Sequence, residues 1–479
     1  MTTLNAMTDR KLQADRVERD IAVGFVTTAD VAEATPRVNY ACLGLGSTQT
    51  KPLRRAPTER TSCFFCPKVE GRSGGQSGAA LRSRSSLNRT SLNVAPAPLI
   101  RPMKAKRLLT IGHSYAVTLN RRLAREMSNA GRGKWELTCA APRYFHGGND
   151  LAPVALEQTE ADDFPVVALD AYLTRKVHVF SWGAAVRELL RRDWDVVHAW
   201  EEPYILAGWE IARCVNSRSK LAFLTMQSNP KRYPPPFSWL ERDSMARASA
   251  WISCGKSIEQ NLESRPGYAM PHAMIPLGVD VDVFKPDAEA RRATLESLGW
   301  ALDGPPVIGF VVRFIPSKGL PLLMRVLDRV REPFRVLFLG SGQLEPELRA
   351  FCARLTNRGR VLHVRHDEVP RYINAMDMLC APSQTTPQWR EQFGRMLVEA
   401  AACGVPVLGS DSGEIPTVLG DTGLVIGEAD EAGWETGISE LLASPERRAE
   451  LGASGRAQAH ERYSWSVVAH KYLAFFESL

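Results

Sequence analysis

Three stretches in the second half of the sequence set charged side chains beside turn glycines, and together they suit one anion carrying a sugar. In Phe310-Val311-Val312-Arg313-Phe314-Ile315-Pro316-Ser317-Lys318-Gly319, a buried strand ends near Arg313 and a helix is expected to open at Lys318. A cation in a first helical turn opposes the helix dipole and costs about 0.3 to 1 kcal/mol, unless an anion sits there too. A guanidinium fork and an ammonium point charge around a phosphate reverse that sign.

The second stretch, Glu391-Gln392-Phe393-Gly394-Arg395-Met396-Leu397-Val398-Glu399, puts two carboxylates around an expected helix start at Gly394. At a rise of about 1.5 Å per residue, the two acids stand at most about 12 Å apart, the reach from a sugar ring to the ribose of one nucleotide. Carboxylates accept from sugar hydroxyls, and the free amides of a helix start suit phosphate. Taken singly, Glu399 would be an exposed partner of Arg395, worth only about 0.2 to 0.5 kcal/mol, and Glu391 an ordinary loop acid. The third stretch runs from Ala402 to Pro416 and reads as a helix stop at Gly404, a buried strand and a turn at Gly413. It frames the two acids.

These groups need rigid elements behind them. From Lys106 onward short apolar runs alternate with amphipathic ones: strands are expected at 107–112, 135–140, 177–182, 194–200, 220–227 and 250–255, with helices at 119–127, 184–192 and 205–215. The alternation restarts with strands at 306–314, 335–340, 360–364, 378–381, 405–409 and 424–426, separated by helices at 319–330, 345–355, 369–376 and 394–403. Such alternation means parallel sheets covered by helices, and the restart means two of them. The division falls near Pro276 to Pro286, giving an α/β chain of two doubly wound, Rossmann-like domains, 103–280 and 281–462, facing across a cleft. The last helix, 463–479, carries Trp465, Val468, Tyr472, Phe475, Phe476 and Leu479 at spacings of three and four. That apolar stripe needs cover, supplied either by a return across the first domain or by packing on its own domain.

The 479 residues, 44% hydrophobic, exclude collagen-like, wholly disordered and disulfide-scaffold classes and suffice for two or three domains. The net charge of +7 is confined to residues 1–102, which hold 15 Lys and Arg against 8 Asp and Glu; the remainder holds 45 of each. A neutral body gives no footprint for nucleic acid. The tail 1–102 is Ser-, Arg-, Gly- and Pro-rich and is expected to be disordered; a start at Met103 is the alternative. Nine scattered cysteines fit a reducing, cytoplasmic setting, and Cys63 with Cys66 lacks the second ligand pair of a zinc site. No apolar run approaches the roughly 18 residues of a membrane span.

At this point the sequence resembles the retaining glycosyltransferases of family 4, which have the two-domain GT-B fold. Ile275-Pro276-Leu277-Gly278-Val279-Asp280 with Phe284 and Pro286 is similar to that family's interdomain segment, with Leu277 in place of the usual Asn. Arg313 and Lys318 match its diphosphate-binding pair, with Val312 replacing the usual Gly, and Glu391 and Glu399 match its paired acids. The resemblance implies a nucleotide-diphosphate sugar as donor, no cofactor, and a sugar or lipid-linked acceptor. It implies that Arg313 and Lys318 neutralise the leaving diphosphate, Glu391 meets the transferred sugar, Glu399 holds the ribose, and Phe393 and Gly394 offer backbone contacts. It covers residues 104–479.

The first domain departs more from that family. His198-Ala199-Trp200-Glu201-Glu202-Pro203 ends a strand and offers Glu201 or Glu202 to an acceptor, with His198 a structural residue. Gly112 stands where family members often carry a pair of glycines near the donor phosphates. Asp280-Val281-Asp282 looks like a metal-binding pair, but it lies in the matched interdomain segment and Arg313 and Lys318 already supply positive charge, so no metal is expected. Arg121, Arg122 and Arg125, or Arg187, Arg191 and Arg192, offer basic helical faces for peripheral contact with an inner membrane surface. The competing readings are a sugar-nucleotide epimerase or phosphorylase of the same fold, and a non-catalytic nucleotide-sugar-binding module.

Overall fold

A computed structural model describes residues 104–147, 153–230, 232–387 and 389–479. The tail and the Cys63/Cys66 pair lie outside the described residues. Fifteen strands are assigned within them: β1 (Lys106–Ile111), β2 (Trp135–Pro142), β3 (Tyr144–Phe145), β4 (Val154–Ala155), β5 (Val166–Leu169), β6 (Val196–Ala199), β7 (Lys220–Thr225), β8 (Ala250–Ser253), β9 (His272–Met274), β10 (Val307–Val311), β11 (Arg335–Leu339), β12 (Gly359–Leu362), β13 (Met378–Ala381), β14 (Val407–Ser410) and β15 (Leu424–Ile426).

The first sheet has the order β5-β2-β1-β6-β7-β8-β9 and the second the order β12-β11-β10-β13-β14-β15. Every pairing in both sheets is parallel. In each, the chain winds outward on one side of its first strand and then returns to wind outward on the other. The order therefore reverses between β1 and β6 and between β10 and β13. Ligands of open α/β sheets bind beyond the carboxyl ends of the strands at such reversals. Arg313 and Lys318 follow β10 and Glu391 follows β13, while Gly112 follows β1 and Glu201 and Glu202 follow β6. Each candidate group thus falls at the reversal of its own sheet.

The apolar runs form strands because both faces are covered: β7 buries Leu221 to Thr225 and β11 is buried throughout. One run breaks the pattern. Residues 177–182, expected as a strand, hold a single helical turn, Val177–Val179, and a bridge from Ser181 to Tyr172. Val177, Phe180 and Trp182 are nonetheless buried. An apolar run can seal a core without joining a ladder. The edge strands β5, the apolar run Val166–Leu169, and β9, the three residues His272–Met274, were not anticipated.

The Trp465–Glu477 helix lies on the first sheet's helical layer. Val468, Ala469, Tyr472 and Phe476 are buried in one apolar cluster with Leu123, Met127 and Trp200. The Tyr472 and Phe476 rings also face His198, at 5.2 and 5.6 Å. The chain enters this helix beside the interdomain segment, where Val279 N–H donates to the Tyr463 carbonyl at 2.7 Å and Trp465 N–H to the Val279 carbonyl at 3.2 Å. A side chain at Gly278 would collide with the Trp465 indole.

Candidate functional site

At the β10–β13 reversal, Lys318 Nζ donates to Glu391 Oε2 at 2.7 Å. Ser383 Oγ, just beyond β13, donates to the same oxygen at 3.0 Å. The Trp389 ring lies under the ammonium at 4.3 Å. Lys318 and Glu391 are only 9% and 6% exposed, so each charge needs the other. Burial pulls the Lys318 ammonium below its ordinary range, Glu391 opposes that pull, and the like charge of Arg313 adds to it. Burial pushes the Glu391 carboxyl up, but Lys318, Ser383 and the Gln392 backbone hold it below the usual carboxylate range. Each charge thus favours the ionised form of the other.

Lys318 does not sit in the first turn of an α-helix, as its sequence context suggests. It closes a short turn, Pro316–Lys318, and Gly319 then starts the Leu320–Leu327 helix in the left-handed region at φ 75°. A side chain at Gly319 would collide with the Pro382 carbonyl oxygen. That close approach brings the β10 and β13 loops together, and Gln384 N–H donates to the Ser317 carbonyl at 2.8 Å.

Gly394 is also left-handed, φ 79°, and opens the Arg395–Ala402 helix. Phe393 is buried beside it, with its ring 5.9 Å from that of Tyr463. Glu399 is not the exposed helix acid of the simplest expectation: it is 6% exposed, with Arg395 Nε 3.9 Å from Oε1. Its charge also acts on the half-buried His366, whose imidazole burial lowers and Glu399 raises.

Across the molecule, at the β1–β6 reversal, Glu201 accepts from the His113 backbone amide at 2.6 Å and meets His113 Nδ1 at 2.8 to 2.9 Å. The Phe145 ring stacks on the imidazole at 4.7 Å. Glu202 turns inward, accepting from Thr225 Oγ1 at 2.7 Å, Met226 N–H at 2.7 Å and Gln227 Nε2 at 3.2 Å. Burial raises its carboxyl to about 7, against the lowering effect of those three donors. Both carboxylates are thus engaged internally. Gly112 is packed against Trp200, 2.8 Å from a Cβ placed on it to the Trp200 carbonyl oxygen. His198 is buried, bonded to Thr110 Oγ1 at 2.9 Å, and lowered by burial to about 3, a structural residue.

One surface expectation changes. Arg121 is fully buried, donating to Asp162 at 2.7 Å, and Arg125 reaches the same carboxylate at 2.7 Å. Arg122 pairs with Asp280 at 3.2 Å. These arginines hold the first half together, so they form no basic face for a membrane, and the same pairing gives Asp280 a cationic partner. Arg187, Arg191 and Arg192 are exposed. Among the described residues no helix is long and apolar enough to cross a membrane.

Sequence reasoning missed Ser383, Trp389, Glu414 and the His113 to Glu201 contact. A serine directly past a central strand, as in Ala381-Pro382-Ser383, is the one local signal that pointed there.

The glycosyl transferases group 1 family matches residues 305–444, the stretch that carries Arg313, Lys318, Glu391 and Glu399. Over 309 residues the chain is 30% identical to the D-inositol 3-phosphate glycosyltransferase of Xylanimonas cellulosilytica, covering 61% of this chain and 69% of that protein. This chain belongs to the group 1 glycosyl transferases. It is also 33% identical over 212 residues to the GDP-mannose-dependent monoacylated alpha-(1-6)-phosphatidylinositol monomannoside mannosyltransferase of Corynebacterium glutamicum, covering 43% of this chain and 55% of the relative. The chain thus spans little more than half the length of that curated relative. The group 1 fold extends to solved structures: sucrose-phosphate synthase from Thermosynechococcus elongatus superimposes with a TM-score of 0.60 at 19% identity, covering 78% of this chain and 98% of that one. Anabaena HepE, solved with UDP and glucose, gives 0.61 at 18% identity over 78% of this chain and all of the other. At such identities these two matches bear on the fold alone.

Proposed function

We propose that this group 1 glycosyl transferase moves a sugar from a nucleotide-diphosphate donor to an acceptor hydroxyl with retention of anomeric configuration and without a metal, in glycoconjugate or polysaccharide synthesis. The observation that carries the reading is the buried Lys318–Glu391 pair at the β10–β13 reversal, with Arg313 on the same loop and Glu399 along the adjoining helix.

In this reading Arg313 and Lys318 share the diphosphate. Lys318 is already held by Glu391 on one side, and its remaining N–H donors serve phosphate oxygens. As the bond from the anomeric carbon to the phosphate oxygen breaks, the diphosphate gains charge, and two fixed cations stabilise it more than they stabilise the intact donor. Glu391 accepts from the sugar's hydroxyls on the far side of the ammonium. The acceptor hydroxyl adds to the anomeric carbon on the face the diphosphate leaves, passing its proton to a departing phosphate oxygen. Retention follows from that same-face exchange. Phe393 and Gly394 set the amides at the start of the Arg395–Ala402 helix, and Glu399 takes the ribose hydroxyls. Gly112, Glu201 and Glu202 lie on the acceptor side, where Glu201 fixes His113 and Glu202 fixes the segment after β7.

The relatives named above act on inositol phosphate or phosphatidylinositol mannoside, which supports a sugar or lipid-linked acceptor and, for the latter, work at a membrane surface. A screen of UDP- and GDP-sugars against inositol and lipid-linked acceptors tests this. Acceptor-dependent release of free nucleotide diphosphate with an α-linked product from an α-linked donor is expected. Donor binding without transfer to any acceptor favours the binding module, and release of an epimerised sugar or a sugar phosphate favours the other enzymes of the fold.

A further inference from the structure

Glu391 is fixed in more ways than by Lys318. Its backbone carbonyl accepts from Glu414 N–H at 3.0 Å, and Gly413 lies so close beneath it that a Cβ there would collide with that carbonyl. The Glu414 side chain then leaves the second half altogether. One of its carboxylate oxygens accepts from Lys256 N–H at 2.9 Å and the other from Ser257 N–H. These are the first two amides of the Lys256–Glu263 helix, whose own N-cap residue, Gly255, brings no capping side chain. Glu414 is 1% exposed. A side chain of the second half therefore caps a helix of the first.

The residues on either side of Glu391 cross in the same direction. Gln392 Nε2 donates to the Met226 carbonyl at 2.6 Å, and Arg390 Nη2 donates to the Ser228 carbonyl. Met226 is the residue whose N–H is held by Glu202. Cys254 Sγ lies 3.9 Å from the Gln392 carbonyl oxygen. Thus both neighbours of Glu391 are tied directly to the first half and its backbone is tied there through Glu414, while its carboxylate is tied to Lys318 and Ser383 in the second.

We propose that Glu414 is a positioning residue for Glu391, making the placement of that carboxylate conditional on contact between the two halves, with Arg390 and Gln392 as accessory grips. The inference rests on the role given to Glu391 above. A carboxylate bonded to two amides at a helix start is held by charge-assisted hydrogen bonds and by the helix dipole. Letting go frees the Gly413–Glu414 turn on which the Glu391 backbone rests. Misplacement of a reacting-site group by about 1 Å is enough to cost on the order of a hundredfold in rate.

Gly255→Ala and Glu414→Ala test it together. Gly255 has an extended backbone, φ −164°, which any residue adopts, and its added Cβ would stand 2.5 Å from the Glu414 carboxylate carbon. Gly255→Ala therefore strikes the cap while leaving Glu414 in the chain, and it decides the matter if Glu414→Ala fails to fold. The expected result is a fall in kcat of at least about tenfold with the donor KM changed by less than about threefold, because the loss is of placement and not of donor binding. Glu414→Gln, which keeps one acceptor oxygen, falls in between. Hydrogen exchange gives a second readout: the Lys256 and Ser257 amides and the 391–394 segment all exchange faster in both alanine variants. Unchanged kcat in variants whose Lys256 and Ser257 amides have lost protection overturns the proposal. If the wild-type protein transfers no sugar from any donor to any acceptor, the functional reading fails, and exchange alone decides this one: faster exchange across 391–394 upholds it and unchanged exchange there refutes it.

Discussion

Lys318 Nζ lies 2.7 Å from Glu391 Oε2, joining positions 73 apart in the chain into one buried ion pair at the carboxyl edge of the second sheet. Removing one partner strands the other in an apolar setting. Lys318→Met and Glu391→Gln, made singly, are expected to lower stability by roughly 3 kcal/mol each, whereas Lys318→Met combined with Glu391→Leu recovers most of that loss. Transfer should fall by at least about a hundredfold in all three variants. Urea unfolding and initial rates check both parts; additive losses in the double variant would show that the two side chains do not form the pair.

Glu202 gives the protein a pH dependence of a definite sign. Its carboxyl is raised from 4.5 to about 7, chiefly by burial. Between those values the folded chain keeps a proton that the unfolded chain releases. The resulting stabilisation is full below about pH 4.5 and is lost as the pH rises through about 7, in total a few kcal/mol. Glu202→Gln should remove that slope, so the wild type loses more stability than the variant between pH 5 and pH 8. Parallel denaturation midpoints for the two proteins across that range would contradict the assignment.

The last helix is held by burial. Phe476 is 1% exposed beside Tyr472 and His198. Phe476→Ala is expected to cost about 3 to 5 kcal/mol, seen as a lower urea midpoint, while Phe475→Ala on the half-buried side costs less. Equal effects would mean that the helix does not lie as described.

Gly319→Ala should reduce both stability and nucleotide affinity. The residue has φ 75°, and its missing Cβ is what lets the β10 loop meet the Pro382 carbonyl. The left-handed conformation alone costs a non-glycine residue about 1 kcal/mol or more, and the collision adds to it. Thermal unfolding and nucleotide titration check this, and a variant indistinguishable from the wild type would remove the close approach from the account.

Much of this architecture was legible because buried parallel strands announce themselves as short apolar runs, and β10, β11, β13 and β15 lie within a few residues of where those runs stand. The run at 177–182 misled for the same reason: burial of Phe180 and Trp182 requires apolar side chains but not a ladder. A three-residue edge strand such as β9, none of whose residues is buried, carries little pattern. Arg313, Lys318, Glu391 and Glu399 were singled out by residue type and spacing, and the fold sets Lys318 against Glu391 at the reversal of the second sheet. Their partners were not. Ser383 donates to Glu391 from the end of β13, and Glu414 caps a helix 158 positions away. Such pairings depend on how two sheets come to rest against each other, which no local spacing encodes. The arginines at 121, 122 and 125 read as a surface stripe for that reason too, since Asp162 and Asp280 reach them only in the fold.

The central claim is that Arg313 and Lys318 receive the diphosphate of a nucleotide donor. Calorimetric titration of UDP and GDP into the wild-type protein, Arg313→Ala and Lys318→Ala tests it most directly. The account predicts saturable binding of at least one nucleotide to the wild type, weakened at least about tenfold in each variant, a loss of about 1.4 kcal/mol or more. Undiminished affinity in both variants, or no binding of either nucleotide by the folded wild type, would contradict it.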